Sequence, residues 1–105
     1  MNKMTSNGQA EAVRSIEETV RAYVPGTDGA ATRRVVERLL DYIRTVASAA
    51  RPADLDDRLA ELRGWAIILL SPRKWGRFGG LERVRLQVLQ ECEALRRLLD
   101  GRRSY

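Results

Sequence analysis

The strongest constraint on the fold of this 105-residue chain is a row of apolar side chains near its C-terminus. The row comprises Leu81, Val84, Val88, Cys92, Leu95 and Leu99. Its steps of three and four residues average 3.6, which is the period of a straight α-helix in a globular protein. The spacing therefore predicts an amphipathic helix over residues 81–100, with Gly101 as its C-terminal cap.

Three further segments with helical spacing precede this one, and residues that break helices end each of them. In order, they are about Gly8–Val24 before Pro25-Gly26, Thr27 or Asp28 to about Ala50 before Arg51-Pro52, and about Asp54–Leu70 before Ser71-Pro72. The apolar stripes are Val13, Ile16, Val20 and Tyr23 or Val24 in the first, Val36, Leu39, Ile43, Val46 and Ala50 in the second, and Leu55, Leu59, Leu62, Ala66 and Leu69 in the third. Ser6 or Asn7 is the expected N-cap of the first helix.

These four segments predict an all-α protein, because no segment alternates as a strand does. The length allows one domain over residues 1–105, with a flexible start at 1–7 and a frayed basic tail at 101–105. Short connections favour a small antiparallel bundle of about four helices. The alternative is an elongated pair of helical hairpins that completes its core by dimerisation.

Residues 71–80, between the third and fourth helices, combine cations, aromatic rings and glycines. We predict a basic aromatic surface loop, which is typical of a contact site. Two arrangements of Trp75 and Phe78 remain open. Both rings could be exposed anchors for a partner, or both could fold back and cover the open end of the bundle.

The positive charge of the chain is concentrated around this loop. The chain has a net charge of +5, and residues 71–85 hold five cations against one anion, Glu82. The expected partner-binding residues are Arg73, Lys74, Trp75, Arg77, Phe78, Arg83 and Arg85. Aromatic and arginine anchors suit a protein interface, whereas stacking rings among phosphate-binding cations suit a nucleic acid. The 17 arginines against two lysines have two explanations, genome composition or recognition of carboxylates and phosphates.

The end of the third helix is apolar on every side, over residues 65–70. A helix that is apolar all round is buried all round. Either this helix is central in a small bundle, or a second chain covers Ile67 and Ile68. We favour the second chain, which predicts a homodimer with Ile67 and Ile68 at the oligomer interface.

Catalysis is the function that the composition argues against most directly. The chain has no histidine, which is the commonest general base near neutral pH and the commonest zinc ligand. Cys92, the single cysteine, lies on the apolar seam of the fourth helix, where we expect a buried, inert thiol. Glu37 and Asp41 stand among arginines and predict a solvated face with ion pairs. We therefore expect no catalytic residues, no metal and no cofactor.

The sequence favours a small non-enzymatic adaptor or regulatory protein of bacterial or phage type. We expect it to bind a macromolecule, most readily an acidic protein surface, through the basic aromatic loop. The alternative is a nucleic-acid-binding protein that uses the same loop with Arg83, Arg85, Arg102 and Arg103. A single cysteine and no apolar run beyond six residues predict a soluble cytoplasmic protein without a membrane segment.

Overall fold

The computed structural model describes the backbone of residues 2–46 and 51–100, and the side chains of the first range from residue 8 onward. These residues form four α-helices and one short 3-10 helix, which we call the connecting helix, and they contain no strand. In chain order, the helices are α1 (Asn2–Ala22), α2 (Gly29–Thr45), α3 (Pro52–Leu69), the connecting helix (Pro72–Phe78) and α4 (Leu81–Leu99). The predicted all-helical class is confirmed.

Two of the predicted helix starts are wrong, by about six residues for α1 and by about two for α3. Helix α1 begins at Asn2 and not near Gly8, so positions 6 and 7 lie within the helix and are not caps. Helix α3 begins at Pro52, which suits the first turn because a proline lacks the N–H that would have no acceptor there. The predicted cap of α2 is confirmed at Asp28, whose carboxylate accepts a hydrogen bond from the N–H of Ala31 at 3.0 Å.

Helix α2 ends at Thr45, earlier than the predicted end near Ala50. Residues 47–50 lie outside the described ranges, and so does the predicted stripe member Ala50. The predicted C-cap Gly101 and the basic residues Arg102 and Arg103 also lie outside them.

The helices pack as neighbours in chain order, and the last returns to the first. Helix α1 contacts α2 and α4, and α3 contacts the same two helices. The radius of gyration is 13.9 Å, close to the ~13 Å of a compact domain of about 100 residues. The core contains most of the predicted stripe residues, and of the two alternatives at the end of α1 Tyr23 is buried and Val24 exposed. Ala12 and Leu40 are also in the core, whereas Leu39, Leu81 and Leu99 are only partly buried.

An ion pair between α1 and α4 lies against this core. Glu17 of α1 is 6% exposed, and its two carboxylate oxygens accept hydrogen bonds from Arg96 of α4 at 3.0 and 2.7 Å. These bonds raise the pKa of Arg96. Arg96 also donates to Glu93, and bonds from Arg96 and Arg97 hold the pKa of Glu93 below its usual range. The pair fixes the register of α1 against α4 through two parallel bonds.

Three helix C-termini are closed by side chains from other elements. Gln9 of α1, 3% exposed, donates from its amide to the carbonyl oxygens of Ile43 and Val46, both at 3.1 Å. Arg85 of α4 donates to carbonyl oxygens at the end of α1, and the Trp75 indole donates to the carbonyl of Leu69 at the end of α3. The last carbonyl groups of a helix have no partners within it, so these bonds link helix ends to their neighbours.

Replacing Arg96 by Gln should destabilise the chain far more than the same change at Arg97. Arg96→Gln leaves the Glu17 carboxylate buried without its cation, at a cost of about 2–3 kcal/mol, less than the 3–5 of a fully buried pair because Arg96 is partly exposed. Arg97 is exposed and, among the described residues, its side chain binds Glu93 alone, so Arg97→Gln should cost under about 0.5 kcal/mol. Urea unfolding of both variants measures the difference, and equal losses would contradict it.

The Cys92 thiol should react only when the chain unfolds. It is fully buried, and burial raises its pKa from 9.0 to about 12. A thiol reagent at pH 8 should therefore modify it at the rate of unfolding, whereas a cysteine at the exposed position Ala60, in a Cys92→Ala background, should react at once. Because the folded chain holds the proton more tightly, the thiol favours folding below about pH 9 and loses this contribution as the pH rises toward 12. Rapid modification under native conditions would show that this part of the core is open.

Candidate functional site

The segment predicted as a loop is mostly helical, and this prediction is wrong in detail. Pro72 begins the connecting helix, and the hydroxyl of Ser71 donates to the carbonyl of Ile67 at 2.7 Å. Gly79 and Gly80 end it with φ angles of 92° and 102°, which side chains rarely tolerate. The sequence did not indicate this 3-10 helix, because such a short helix lacks the long apolar stripe by which α-helices are predicted.

Trp75 folds back onto the helices, as expected if the rings cover the open end of the core. Its ring packs against the core, and its indole N–H donates to the carbonyl of Leu69 at 2.8 Å. Phe78 lies edge-on to Trp65 of α3, with ring centroids 5.3 Å apart, and remains 37% exposed. Trp75 therefore closes the end of the core. Of the two rings, only that of Phe78 keeps a large apolar surface toward solvent.

Four of the predicted cations form an exposed group, which we call the cationic patch: Arg73, Lys74, Arg77 and Arg83. Within the described residues, none of the four makes an ion pair. The Arg83 side chain lies against Gly79 at the end of the connecting helix, since a Cβ at Gly79 would lie 2.9 Å from its Cγ. The patch therefore comprises exposed cations of the connecting helix and of the first turn of α4.

Arg85 has a different place from the one predicted for it. Its side chain is 13% exposed, and its guanidinium donates to the carbonyl oxygens of Val20 and Tyr23 at 2.5 and 3.0 Å. It also pairs with Glu82 at 3.1 Å. A cation at a helix C-terminus is stabilised by the helix dipole, and Arg85 in this way joins α4 to the end of α1. Its ion-pair partner, Glu82, is the one anion of residues 71–85.

Sequence reasoning missed one apolar residue beside the patch. Leu86, 51% exposed, lies three residues after Arg83 and lines with it a surface depression of about 290 Å³. The sequence could have indicated its exposure, because Leu86 lies off the apolar seam of α4 and an apolar residue there does not face the core. Phe78, in the connecting helix, and Leu86, beside Arg83, thus add exposed apolar surface to the elements that carry the patch.

Ile67 and Ile68, predicted as an oligomer interface, are both half-buried within the chain. Ile68 packs against the core, and Ile67 lines a narrow crevice between α2 and α3 together with Val36 and Leu70. Neither is among the large exposed apolar side chains. The helix is apolar all round there because α2, α4 and the connecting helix surround its end.

The groups considered for catalysis lie apart from the patch. A groove of about 610 Å³ between α2 and α3 contains the ion pairs of Glu37 with Arg63 at 3.0 Å and Arg44 with Asp56 at 3.4 Å. The ion pairs predicted for Glu37 and Asp41 are confirmed for Glu37, whereas Asp41 lines the same groove without an ion pair to a described residue. Among residues 8–46 and 51–100, no three acidic, histidine or cysteine side chains are placed to hold a metal ion. In the same part of the chain, no helix is both long and apolar enough to cross a bilayer.

Comparisons of this chain with protein families, curated proteins and solved structures found no match. The arguments for function therefore come from the geometry of the cationic patch.

The two aromatic rings of the connecting helix should differ sharply in their contribution to stability. Trp75→Ala removes a plug and a hydrogen bond, and we expect it to cost about 2–3 kcal/mol, below the 3–5 of a fully buried aromatic. Phe78→Ala should cost about 1 kcal/mol, since the ring is partly exposed and loses one edge contact. Denaturant unfolding followed by circular dichroism measures both values.

Trp75→Phe serves as the matched control because it keeps an aromatic ring and removes the indole N–H. We expect a loss of about 1 kcal/mol for the missing hydrogen bond, together with a small packing defect. A Trp75→Ala variant as stable as the original chain would contradict the plug and return Trp75 to the exposed surface.

Proposed function

We propose that this chain is a small non-enzymatic adaptor or regulatory protein that binds an acidic protein surface through the cationic patch. The proposal rests on four exposed cations, Arg73, Lys74, Arg77 and Arg83, that make no ion pair with any described residue. Unpaired charges of one sign raise the local potential and attract a partner of the opposite sign.

The contrast with other arginines supports this assignment. Many exposed arginines elsewhere are paired with carboxylates, such as Arg14 with Glu11 and Arg63 with Glu37. The one anion of residues 71–85, Glu82, pairs with Arg85 and not with a patch cation. A carboxylate-bearing partner would therefore meet guanidinium groups that need not break an existing ion pair, and three of the four cations can bind bidentately.

The apolar neighbours favour a protein partner over a nucleic acid. Phe78 and Leu86 offer exposed apolar surface beside the cations, which suits an interface with a small hydrophobic centre and a charged rim. Base stacking needs free ring faces, and Trp75 is held by the core and by its bond to Leu69. Nucleic-acid binding through the same cations is the second candidate, supported by the unpaired charge alone.

We further propose that α1 to α4 form an antiparallel bundle in which the patch occupies one end. The packing of each helix on its neighbours in chain order supports this arrangement, as does the contact of α1 with α4. The buried free thiol of Cys92 suits a reducing compartment, and we place the protein in the cytoplasm.

Charge removal on the patch tests the proposed function. The variant Arg73→Gln, Lys74→Gln, Arg77→Gln, Arg83→Gln should lose binding to a fluorescent poly-glutamate peptide and the proteins that co-purify with the native chain at low salt. The control, Arg14→Gln, Arg44→Gln, Arg51→Gln, Arg97→Gln, removes the same charge from exposed sites elsewhere and should retain both. Equal binding by the two variants would refute the patch as the site.

Salt dependence separates the two candidate partners. Binding to random duplex DNA through about four phosphate contacts should weaken by roughly two orders of magnitude between 50 and 200 mM salt. The co-purifying protein should lose much less, mainly in association rate. Tight DNA binding that follows the steep dependence and disappears in the patch variant would establish the nucleic-acid candidate instead.

A further inference from the structure

The outer face of α2 carries two of the large apolar side chains that the described residues leave exposed. Val35 and Tyr42 are each 42% exposed and lie seven residues apart, so two helical turns separate them on one side of α2. The core side of the same helix is formed by Val36, Leu40 and Ile43. Tyr42 is held at one end because its hydroxyl lies over Gly8 of α1.

The charged residues of α2 fall into two groups. Arg33, Glu37 and Arg44 pair with one another or with α3. Arg34 and Asp41, in contrast, are exposed and make no ion pair with a described residue, although Asp41 also lines the groove between α2 and α3. They too lie seven residues apart, in the same positions of successive heptads.

We propose that this face of α2 docks on α2 of a second copy of the chain, with the two helices antiparallel. Antiparallel packing brings equivalent flanks of the two helices together. Arg34 of each copy then faces Asp41 of the other, and one twofold axis relates the two ion pairs. Val35 and Tyr42 lie beside these pairs and are covered by the other helix, together with the aliphatic part of Arg38.

The spacing of charge selects this partner and this orientation. A cation and an anion at equal heptad positions make the face complementary to itself when the helices are antiparallel. In parallel pairing, opposite flanks would meet, so Arg34 and Asp41 would face the partner's Val35 and Tyr42 and form no ion pair. The contact spans only about two heptads of a 17-residue helix, so we expect a dimer that depends on concentration.

The dimer surface and the cationic patch are separate. Helix α2 begins at the end of the molecule where Arg85 joins α4 to the last turn of α1. An antiparallel α2 pair therefore carries its two patches at opposite ends, and each remains open. The inference does not depend on the proposed function, and variants of Arg34 and Asp41 leave the patch intact.

A charge-exchange cycle, followed by sedimentation across a concentration series, tests the proposal. Arg34→Asp and Asp41→Arg should each weaken dimerisation by about tenfold or more, because each places like charges opposite one another. The double variant Arg34→Asp, Asp41→Arg restores both pairs with reversed polarity and should return the dissociation constant to within about threefold of the original. Arg14→Asp, at an exposed site on α1, is the control and should change nothing.

Both exchanged residues are exposed in the single chain, so helicity by circular dichroism should be the same in all variants. A chain that remains monomeric up to millimolar concentration would overturn the proposal. So would a dimer in which the double variant fails to recover, because Arg34 and Asp41 would then not face each other. A dimer unaffected by this cycle but broken by Ile68→Asp would instead assign the interface to the end of α3.

Discussion

The closing of helix C-termini by side chains from other helices is the interaction on which this small fold depends. Each α-helix leaves its final carbonyl groups without partners, and in a chain of 105 residues these ends lie close to the core. Gln9 closes α2, Arg85 closes α1 and Trp75 closes α3. Each bond also fixes one element against another. The same contacts therefore cap the helix ends and hold the helices together.

This arrangement explains why the candidate site is simpler than its composition indicates. Residues 71–85 contain one tryptophan and five cations, yet Trp75 and Arg85 act within the fold. The segment then presents cations that make no ion pair with a described residue, together with the exposed Phe78 and Leu86. Because Glu82, the one acid of residues 71–85, pairs with Arg85, the charge of the patch is not balanced within this segment.

Arginine performs several different tasks in this protein. Arg96 binds a buried carboxylate with two parallel bonds, and Arg85 binds backbone oxygens. Exposed arginines toward α3 form ion pairs that contribute little each. The arginines without described partners, such as Arg34 and Arg77, are those with capacity for a second molecule. Their number alone would not distinguish these tasks, since composition carries no information on partners.

The sequence by itself determined the helical class, most helix boundaries and the main members of the core. These features follow from spacings of three or four residues and from local breakers such as Pro25-Gly26, so nearby residues suffice to predict them. The candidate site was predictable as a basic region, and four of its seven named residues are exposed cations there. Tertiary structure alone decided the roles of the polar side chains that link distant helices. Gln9, Arg85 and Glu17 find partners 34, 65 and 79 residues away, and no local pattern marks a contact across such separations. The position of the Trp75 ring was likewise decided only when α3 and α4 enclosed it, because an aromatic residue in a glycine-rich segment can face either solvent or core.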